Sequence, residues 1–319
     1  MRTNGPNWQA LAAPPCELGE SPFWHPDEQM LYWIDIPGRQ IHRCNVFMGT
    51  VQSWGMPSDP GSIAPARTGG HKGDASGLVI ALRDGIYRAR QWGGALQRLA
   101  AAEHDPATTR FNDGKADPMG RFWAGTMYEP RDRADAKLYS LDCRPDNAVE
   151  MPSLEFKAGD ATIANGLAWS PDAATVYWAD TTAHIIRAWD WNARSNAMGR
   201  GRVFRQFPGK PDGWQAGMPG YGGRPDGAAV DVEGNYYVAM YEGARVLKLS
   251  PSGEVLADLA VPAQCPTMPC FGGDDLKTLY LTTARQNRPA AELHAYPDSG
   301  RVFSLRVDTP GLPVNFFLD

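Results

Sequence analysis

The 319-residue sequence has no long hydrophobic run and no excess of positive charge. No stretch reaches the roughly 20 apolar residues that a membrane helix needs, and residues 1–16 lack the apolar core of a signal peptide. The formal net charge is -5, whereas proteins that bind nucleic acid present basic surfaces to the phosphate backbone. We therefore expect a cytoplasmic protein with no membrane contact and no nucleic-acid partner.

Cysteine is scarce, and its spacing does not suggest a disulfide framework. The five cysteines are widely scattered and include no C-x-x-C pair: Cys16, Cys44, Cys143, Cys265 and Cys270. An odd number of separated cysteines indicates reduced, packed thiols rather than disulfides or a thiolate metal site. The six histidines are also isolated from one another, so a histidine-rich metal site is not expected.

Several motifs that define reaction classes are missing. The sequence has no G-x-S-x-G elbow, no G-x-x-x-x-G-K-[ST] loop and no H-E-x-x-H pair, which disfavours serine hydrolases, nucleotide-binding proteins and zincins. The segment DGKADPMG resembles the start of a calcium-binding helix-loop-helix. However, the twelfth position from Asp113 is Ala124 rather than a bidentate glutamate, so this interpretation fails.

The sequence repeats a pattern typical of β-hairpins. Long helices are not expected, because 34 glycines and 27 prolines are spread along the chain. Apolar runs rich in aromatic and β-branched residues alternate with turns of Pro, Asp or Gly. Five segments share one template: SPFWHPDEQMLYWID, DGKADPMGRFWAGT, LAWSPDAATVYWAD, AAVDVEGNYYVAM and PCFGGDDLKTLYLTT. A sixth, weaker copy is SGLVIALRDGIYRAR.

The copies lie roughly 40 to 60 residues apart, which is typical of propeller blades. We therefore predict an all-β, six-bladed β-propeller that forms a single domain over residues 1–319. The ring must close to protect its last edge strand, and we expect the segment before Cys16 and the C-terminal GLPVNFFLD to complete one blade together. Five tryptophans at equivalent template positions are expected to pack between blades: Trp24, Trp33, Trp123, Trp169 and Trp178.

One segment breaks the template. Residues 207–223, FPGKPDGWQAGMPGYGG, form a Gly- and Pro-rich insertion that is too long for a hairpin turn. It has two interpretations, a lid or rim loop and a solvated insertion without function.

Four motifs place oxygen ligands or charges where the template prefers apolar or small residues. They are ELGES at Glu20, RFNDGK at residues 110–115, ANGLAW at Asn165 and RPDGAA at Asp226. Each precedes the first strong strand of a different blade, so we expect all four to face one end of the central channel. Glu, Asn and Asp together form a hard oxygen shell that suits calcium, magnesium, manganese or zinc. The alternative is that these residues cap turns.

These segments resemble the family of gluconolactonases and regucalcin-type proteins, the SMP-30 family. The resemblance rests on ELGESPFW, RFNDGKADPMGRFWAGTM, NGLAWSPD, PDGAAVDVEGNYYVA and CFGGDDLKTLYLTTAR. It extends in order from Cys16 to about Val307. It implies a six-bladed propeller in which Glu20, Asn165 and Asp226 hold one divalent cation at the channel mouth.

The resemblance also implies roles for residues near the cation. Arg110 and Asn112 would bind the substrate, and Glu129, which follows AGTM, is a further substrate-contact prediction. Asp113 has two open interpretations, a carboxylate beside the metal and a residue that holds the loop by hydrogen bonds. We expect Lys115 and Asp117 to be structural.

The function implied is metal-dependent hydrolysis of a sugar lactone to the aldonic acid, with the metal as Lewis acid and Asp226 as general base. The cation is left open among calcium, zinc, manganese, magnesium and iron, and oligomeric state is not predicted. One alternative is a metal-dependent aryl esterase or organophosphatase, which Trp214 and Tyr221 on the insertion leave open. Another is a non-catalytic calcium-binding regulatory protein, and a third is an interaction propeller without a site.

Overall fold

The computed structural model describes residues 6–69, 75–144 and 152–319, which form six β-sheets arranged as a propeller. The first strand, β1, spans Gln9–Ala10. Blade 1 contains β2 to β5, at Gly19–His25, Met30–Asp35, Gln40–Asn45 and Thr50–Gly55. Blade 2 contains β6 to β9, at Ser62–Arg67, Ala75–Leu82, Gly85–Ala89 and Leu96–Ala101. Blade 3 contains β10 to β13, at Thr109–Ala116, Phe122–Tyr128, Ala136–Leu141 and Glu155–Ala161.

The remaining blades follow the same antiparallel order. Blade 4 contains β14 to β17, at Ala164–Trp169, Thr175–Asp180, Ile185–Asn192 and Ala197–Gln206. Blade 5 contains β18 to β21, at Arg224–Val230, Tyr236–Tyr241, Arg245–Leu249 and Val255–Ala260. Blade 6 contains β22 to β24, at Pro266–Gly272, Thr278–Thr283 and Phe303–Arg306, with β1 as its outer strand. A short helix, α1, spans Ala290–Ala295, and the last strand, β25, spans Phe317–Leu318.

The first strand of each blade lies next to the first strands of the neighbouring blades, so these six strands surround the central channel. They are almost entirely buried, whereas an outer strand such as β5 is largely exposed. The predicted six-bladed propeller is therefore confirmed. The part of the chain described contains no helix long and apolar enough to cross a membrane.

Aromatic side chains fill the space between blades, as the template predicts. Trp33 and Trp178 occupy equivalent positions on the second strands of blades 1 and 4. Trp123 lies one position earlier on the second strand of blade 3, so it faces the next blade and the expected equivalence fails there. Each of the three is at most 1% exposed. Trp123 packs edge-on against Trp169 of the next blade, with ring centroids 5.6 Å apart. Trp24 stacks on Tyr280 across the junction of blades 1 and 6. All five cysteines are free, and four of them are buried.

The two chain ends do not complete one blade together, contrary to the prediction from the sequence. The N-terminal segment does complete blade 6, because Gln9 and Ala10 pair with Ser304 and Phe303. The C-terminal tail does not join that blade. It adds β25 parallel to β6 of blade 2 instead, since the inner edge of β6 faces the channel and offers unpaired backbone groups.

The tail also covers the channel end where the inner strands finish. The Leu312 amide donates to the Val230 carbonyl of blade 5 at 3.0 Å, and the Leu318 amide donates to the Gly120 carbonyl of blade 3 at 2.9 Å. Between them, the Asn315 amide side chain donates to the Ala116 carbonyl. The tail therefore ties three blades together and leaves the other channel end open for a site.

Phe317→Ala is expected to lower the free energy of unfolding by about 3–5 kcal/mol, because it empties a fully buried site in the core. Urea unfolding measures this change. Phe47→Ala serves as the control, since Phe47 is 74% exposed and its loss should change stability by less than about 0.5 kcal/mol. Equal effects of the two substitutions would contradict the packing role of the tail.

Candidate active site at the channel mouth

A cavity of about 470 Å³ lies at the channel end where the inner strands begin. Its wall includes all six residues that the sequence nominates for the site: Glu20, Arg110, Asn112, Glu129, Asn165 and Asp226. They come from blades 1, 3, 4 and 5 and are far apart in the sequence. The fold thus brings these residues to one place, and their individual roles remain predictions.

A second cavity, of about 300 Å³, lies at the opposite channel end against the C-terminal tail. Its wall is mostly apolar, and Lys115 is the charged side chain of that wall among the described residues. It has no converging set of oxygen ligands. The chemistry predicted from the sequence therefore belongs to the first cavity.

The predicted cation ligands lie within the innermost strands, not in the loops before them. Glu20, Asn165 and Asp226 are on β2, β14 and β18. A shift in strand pairing, which marks a β-bulge, occurs at each of these places, between residues 20 and 23, 165 and 168, and 225 and 228. Bulges reorient side chains at sheet edges and next to active sites. The bulge therefore explains how residues inside a strand face the cavity.

The glycine of the N-G-L motif is required by this geometry. Gly166 has a φ of 62°, and a Cβ built on it would lie 2.4 Å from the Tyr236 hydroxyl oxygen. That hydroxyl donates a hydrogen bond of 2.6 Å to the Gly166 carbonyl. Any side chain at this position would be both strained and obstructed. Gly166 therefore lets Asn165 approach the channel while blades 4 and 5 stay in contact.

A chain of hydrogen bonds links the inner strands across three blades. The Arg110 guanidinium donates to Asn112 Oδ1 at 2.7 Å, and Asn112 Nδ2 donates to Asn165 Oδ1 at 2.9 Å. Asn165 Nδ2 then donates to the Thr181 hydroxyl at 2.8 Å, which donates to the Pro225 carbonyl at 2.7 Å. Pro225, the last residue of this chain of bonds, directly precedes Asp226 in the sequence. The chain therefore holds the predicted substrate residues and cation ligands in one rigid arrangement.

The two carboxylates at the mouth lie in an unfavourable electrostatic environment. Burial raises the pKa of Glu20 well above its usual value, and the charges of Asp226 and Asp113 raise it further. Burial also raises the pKa of Asp226, with a further contribution from Asp113. Two desolvated carboxylates of like charge repel each other unless a proton or a cation lies between them. This pair of carboxylates therefore carries negative charge that a divalent cation would balance.

The oxygen ligands available at the mouth are consistent with such a cation, but two carboxylates alone are too few and an amide oxygen must be the third ligand. No group of three or more His, Cys, Asp or Glu side chains in the described ranges is placed to hold a metal. Glu20 and Asp226 supply two carboxylates, and Asn165 supplies a carbonyl oxygen that has one bond from Asn112 and a second lone pair. Oxygen-only ligation of this kind suits hard cations.

Asp113 and its neighbours support the fold around the site. Asp113 Oδ2 accepts a hydrogen bond of 2.9 Å from the Leu167 amide of blade 4, which favours the interpretation that Asp113 holds the strands. The Lys115 ammonium donates to the Ala228 carbonyl across the channel. Asp117 accepts bonds from the Arg121 amide and the Trp123 indole, at 3.0 and 2.9 Å. Lys115 and Asp117 therefore have the structural contacts expected of them.

Glu129 lies on the cavity wall, held by an arginine that the sequence did not single out. Arg83 of blade 2 contacts the Glu129 carboxylate at 2.9 and 3.1 Å, and Arg110 Nε is 3.9 Å away. The hydrogen bond from Arg83 is the main cause of a lowered pKa at Glu129. Arg83 lies in SGLVIALRDGIYRAR, the weakest copy of the repeat, where the sequence nominates no site residue.

The insertion docks on the rim of the cavity. The Lys210 ammonium lies 2.9 Å from the Glu242 carboxylate, and the Tyr221 hydroxyl lies 2.7 Å from His184 Nε2. Trp214 is buried and packs edge-on against Tyr221, with ring centroids 5.0 Å apart. These contacts favour the rim-loop interpretation over a freely solvated insertion. Trp214 and Tyr221 pack on each other and are not part of the cavity wall.

Comparison with known proteins agrees with this geometry. Residues 18–285 match the model of the SMP-30/gluconolactonase/LRE-like region. The chain is 41% identical over 297 residues to 6-deoxy-6-sulfogluconolactonase of Pseudomonas putida, which covers 93% of this chain and 94% of the relative. It is 32% identical to regucalcin of Danio rerio, with 93% of both chains covered.

A solved structure is similar over nearly the whole length. A calcium-binding protein, regucalcin, from Agrobacterium tumefaciens strain C58 superposes with a TM-score of 0.84 and 25% identity, covering 98% of this chain and 97% of that one. The family match spans most of the chain, and the aligned relatives span nearly all of it. The protein therefore belongs to the SMP-30/gluconolactonase/LRE-like family.

Proposed function

We propose that this protein, a sugar lactonase, hydrolyses its lactone to the aldonic acid with the help of one divalent cation at the channel mouth. The family match and the lactonase relative support lactone hydrolysis. The main observation in support of a bound cation is that Glu20, Asn165 and Asp226, which come from three different blades, line one polar cavity. Beside them, Arg110 and Asn112 present hydrogen-bonding groups suited to a hydroxyl-rich substrate.

Glu20, Asn165 and Asp226 would hold the cation. Their two carboxylates and one amide oxygen form a hard, doubly negative set. The pKa values of Glu20 and Asp226 are raised first by burial and then by the charge of neighbouring carboxylates. When bound, the cation supplies Lewis acidity toward a carbonyl oxygen and lowers the pKa of water. Calcium, zinc, manganese, magnesium and iron remain the ions to compare.

The protein groups have modest tasks because a lactone is already an activated ester. The Asp226 carboxylate takes a proton from the attacking water, which forms the new C–O bond at the lactone carbonyl. Arg110 and Asn112 hold the sugar hydroxyls or the developing oxyanion. Ring opening then breaks the bond between the carbonyl carbon and the ring oxygen, which leaves as a sugar hydroxyl after it takes up the proton held by Asp226. The product is the aldonic acid, and no covalent intermediate with the protein is required.

The wall of the cavity argues against an aromatic ester as substrate. Charged and amide side chains dominate it, and Tyr241 is its aromatic member among the described residues. An aryl ester or organophosphate would need an apolar rim, which the insertion does not provide here. The alternative of a calcium-binding protein without catalysis is raised by the name of one solved neighbour, a calcium-binding regucalcin, and it predicts saturable cation binding without turnover.

One experiment separates these functions. The chelator-stripped protein is reconstituted ion by ion and assayed with a pH indicator on pentono- and hexonolactones, phenyl acetate and paraoxon. We expect acid release from aldonolactones above the spontaneous rate, loss of that rate with chelator, and recovery with the correct ion. Cation binding without acid release would indicate the regulatory protein, and preference for phenyl acetate or paraoxon would indicate the esterase.

A further inference from the structure

One corner of the cavity is lined by hydrogen-bond donors rather than carboxylates. Its members come from β18, β19 and the loop after β23, and we name them the basic subsite: Arg224, Tyr241, Gln286, Asn287 and Arg288. Two of the five are permanently charged guanidinium groups, and the others carry a hydroxyl or an amide. No motif in the sequence singles out this set, although Arg224 lies two residues before Asp226.

Arg224 has unused donors in this corner. Its Nε is buried without a hydrogen-bond partner among the described residues. Its nearest carboxylate is Glu242, with Nη2 and Oε2 3.4 Å apart, and its guanidinium lies over the Tyr241 ring at 5.2 Å. A guanidinium carries five N–H donors in a planar fork. The Nη groups of Arg224 can therefore donate hydrogen bonds to a further anionic partner without breaking a strong bond, whereas the buried Nε is out of reach of a ligand.

Arg288 is held in a fixed orientation. Its Nε and Nη2 bind the Glu292 carboxylate of α1 at 2.7 and 2.6 Å, and its Nη1 lies 3.0 Å from Glu242. The side chain is 12% exposed, so it borders the cavity without projecting into solvent. Helix α1 thus serves as the support that positions Arg288 at the wall.

Positive charge is in excess around this corner. Lys210, Arg224 and Arg288 surround the Glu242 carboxylate, and Glu292 is the other acidic partner of the group. Burial would raise the pKa of Glu242, but the Lys210 hydrogen bond and the Arg224 charge lower it below its usual value, which keeps Glu242 ionised. Three cations therefore contact two carboxylates. The Asp226 charge also reaches Arg224, but in the proposed function that carboxylate is a ligand of the cation, so an anion bound in this corner would balance the third positive charge.

We propose that the basic subsite binds an anionic substituent, a phosphate or a sulfonate, on the sugar lactone. This inference rests on the proposed function, because it places the substituent beside the lactone that Asp226 and its partners open. Oxyanions of this kind accept paired hydrogen bonds from guanidinium groups. The Tyr241 hydroxyl and the two amides would supply the remaining donors. The preferred substrate is then a negatively charged lactone rather than a neutral one.

The test compares kcat/KM of the metal-loaded, full-length protein on three lactones: glucono-δ-lactone, its 6-phosphate and its 6-sulfonate analogue. We expect the better of the two charged substrates to exceed the neutral one by about tenfold or more, since charge-assisted hydrogen bonds are strong. The advantage should arise in KM and shrink as salt screens the partly exposed charges. The two charged lactones show which oxyanion fits.

Variants separate the subsite from general damage. Arg224→Met and Arg288→Met should each lower the ratio of charged to neutral kcat/KM by about tenfold, and Arg224→Lys should restore part of it. Arg306→Met is the matched control, because Arg306 is exposed on outer strand β24 and pairs with Asp275. It should leave the ratio as in the native protein. Thermal unfolding of each variant checks that it folds.

Two results would overturn the inference without touching the proposed function. One is turnover of glucono-δ-lactone by the native protein with no preference for either charged lactone. The other is a charged-lactone preference that survives both methionine variants, which would place the anion elsewhere. Failure of the native protein to hydrolyse any lactone with any cation would instead refute the proposed function, and the subsite with it.

Discussion

Replacing Asp226 by alanine is expected to abolish cation binding and lactone hydrolysis together. The substitution removes one of two carboxylates from the predicted ligand set and also removes the proposed proton acceptor. Loss of a general base alone typically lowers a rate by 10²–10⁴-fold, so kcat/KM should fall by at least about 10³-fold. Calorimetric titration with the activating cation and indicator assays on the lactone measure the two losses separately.

The control for Asp226 is an acidic residue outside the cavity. Asp258 is exposed and pairs with Arg245 on the outer part of blade 5, so Asp258→Ala should retain both cation binding and turnover. Asp226 is buried among like charges, and its removal should therefore not lower the thermal stability of the cation-free protein. Lactonase activity in the alanine variant of Asp226 would refute the assignment.

Replacing Arg110 by methionine is expected to lower kcat/KM by about 10²–10³-fold, the range found when one oxyanion donor is removed. Arg110 is 7% exposed, and its guanidinium both faces the cavity and holds the Asn112 carbonyl. Its loss removes a donor to the substrate and frees Asn112 to rotate. Steady-state kinetics on the preferred lactone measure the effect.

Cation affinity distinguishes this variant from the one at Asp226. Arg110 contributes no oxygen to the predicted ligand set, so Arg110→Met should still bind the cation in calorimetric titration. Loss of cation binding would mean that Arg110 acts by holding the Asn112–Asn165 bond rather than by contacting the substrate. Unchanged kinetics would remove Arg110 from the site altogether.

The fold was predictable because each blade repeats the same local chemistry. Trp33 and Trp178 mark equivalent positions on second strands, and Pro, Asp and Gly turns separate the runs. Closure was only half predictable. The alternating pattern identified both terminal segments as strands, but a strand pattern does not identify its partner edge, and the tail paired with β6 rather than with blade 6.

The site was predictable where polar residues interrupt the template. Glu20, Asn165 and Asp226 stand at corresponding places in different copies, which is why they could be nominated together. Arg83 and Arg288 do not replace an apolar or small residue of the repeat, so the repeat pattern does not single them out. Their relation to the cavity depends on which loops reach the rim, and one sequence carries no signal for that contact.

The sequence by itself determined the blade repeat, the reduced cysteines and the polar positions that face the channel, because these follow from local periodicity and residue chemistry. Only the tertiary structure decided how those positions combine. Closing the ring sets which strand edges meet, so it created the hydrogen-bond chain from Arg110 to Pro225. It also brought Lys210 of the insertion and Arg288 to the Glu242 carboxylate. Such contacts join residues far apart in the chain, and their geometry exists only when all six blades are assembled.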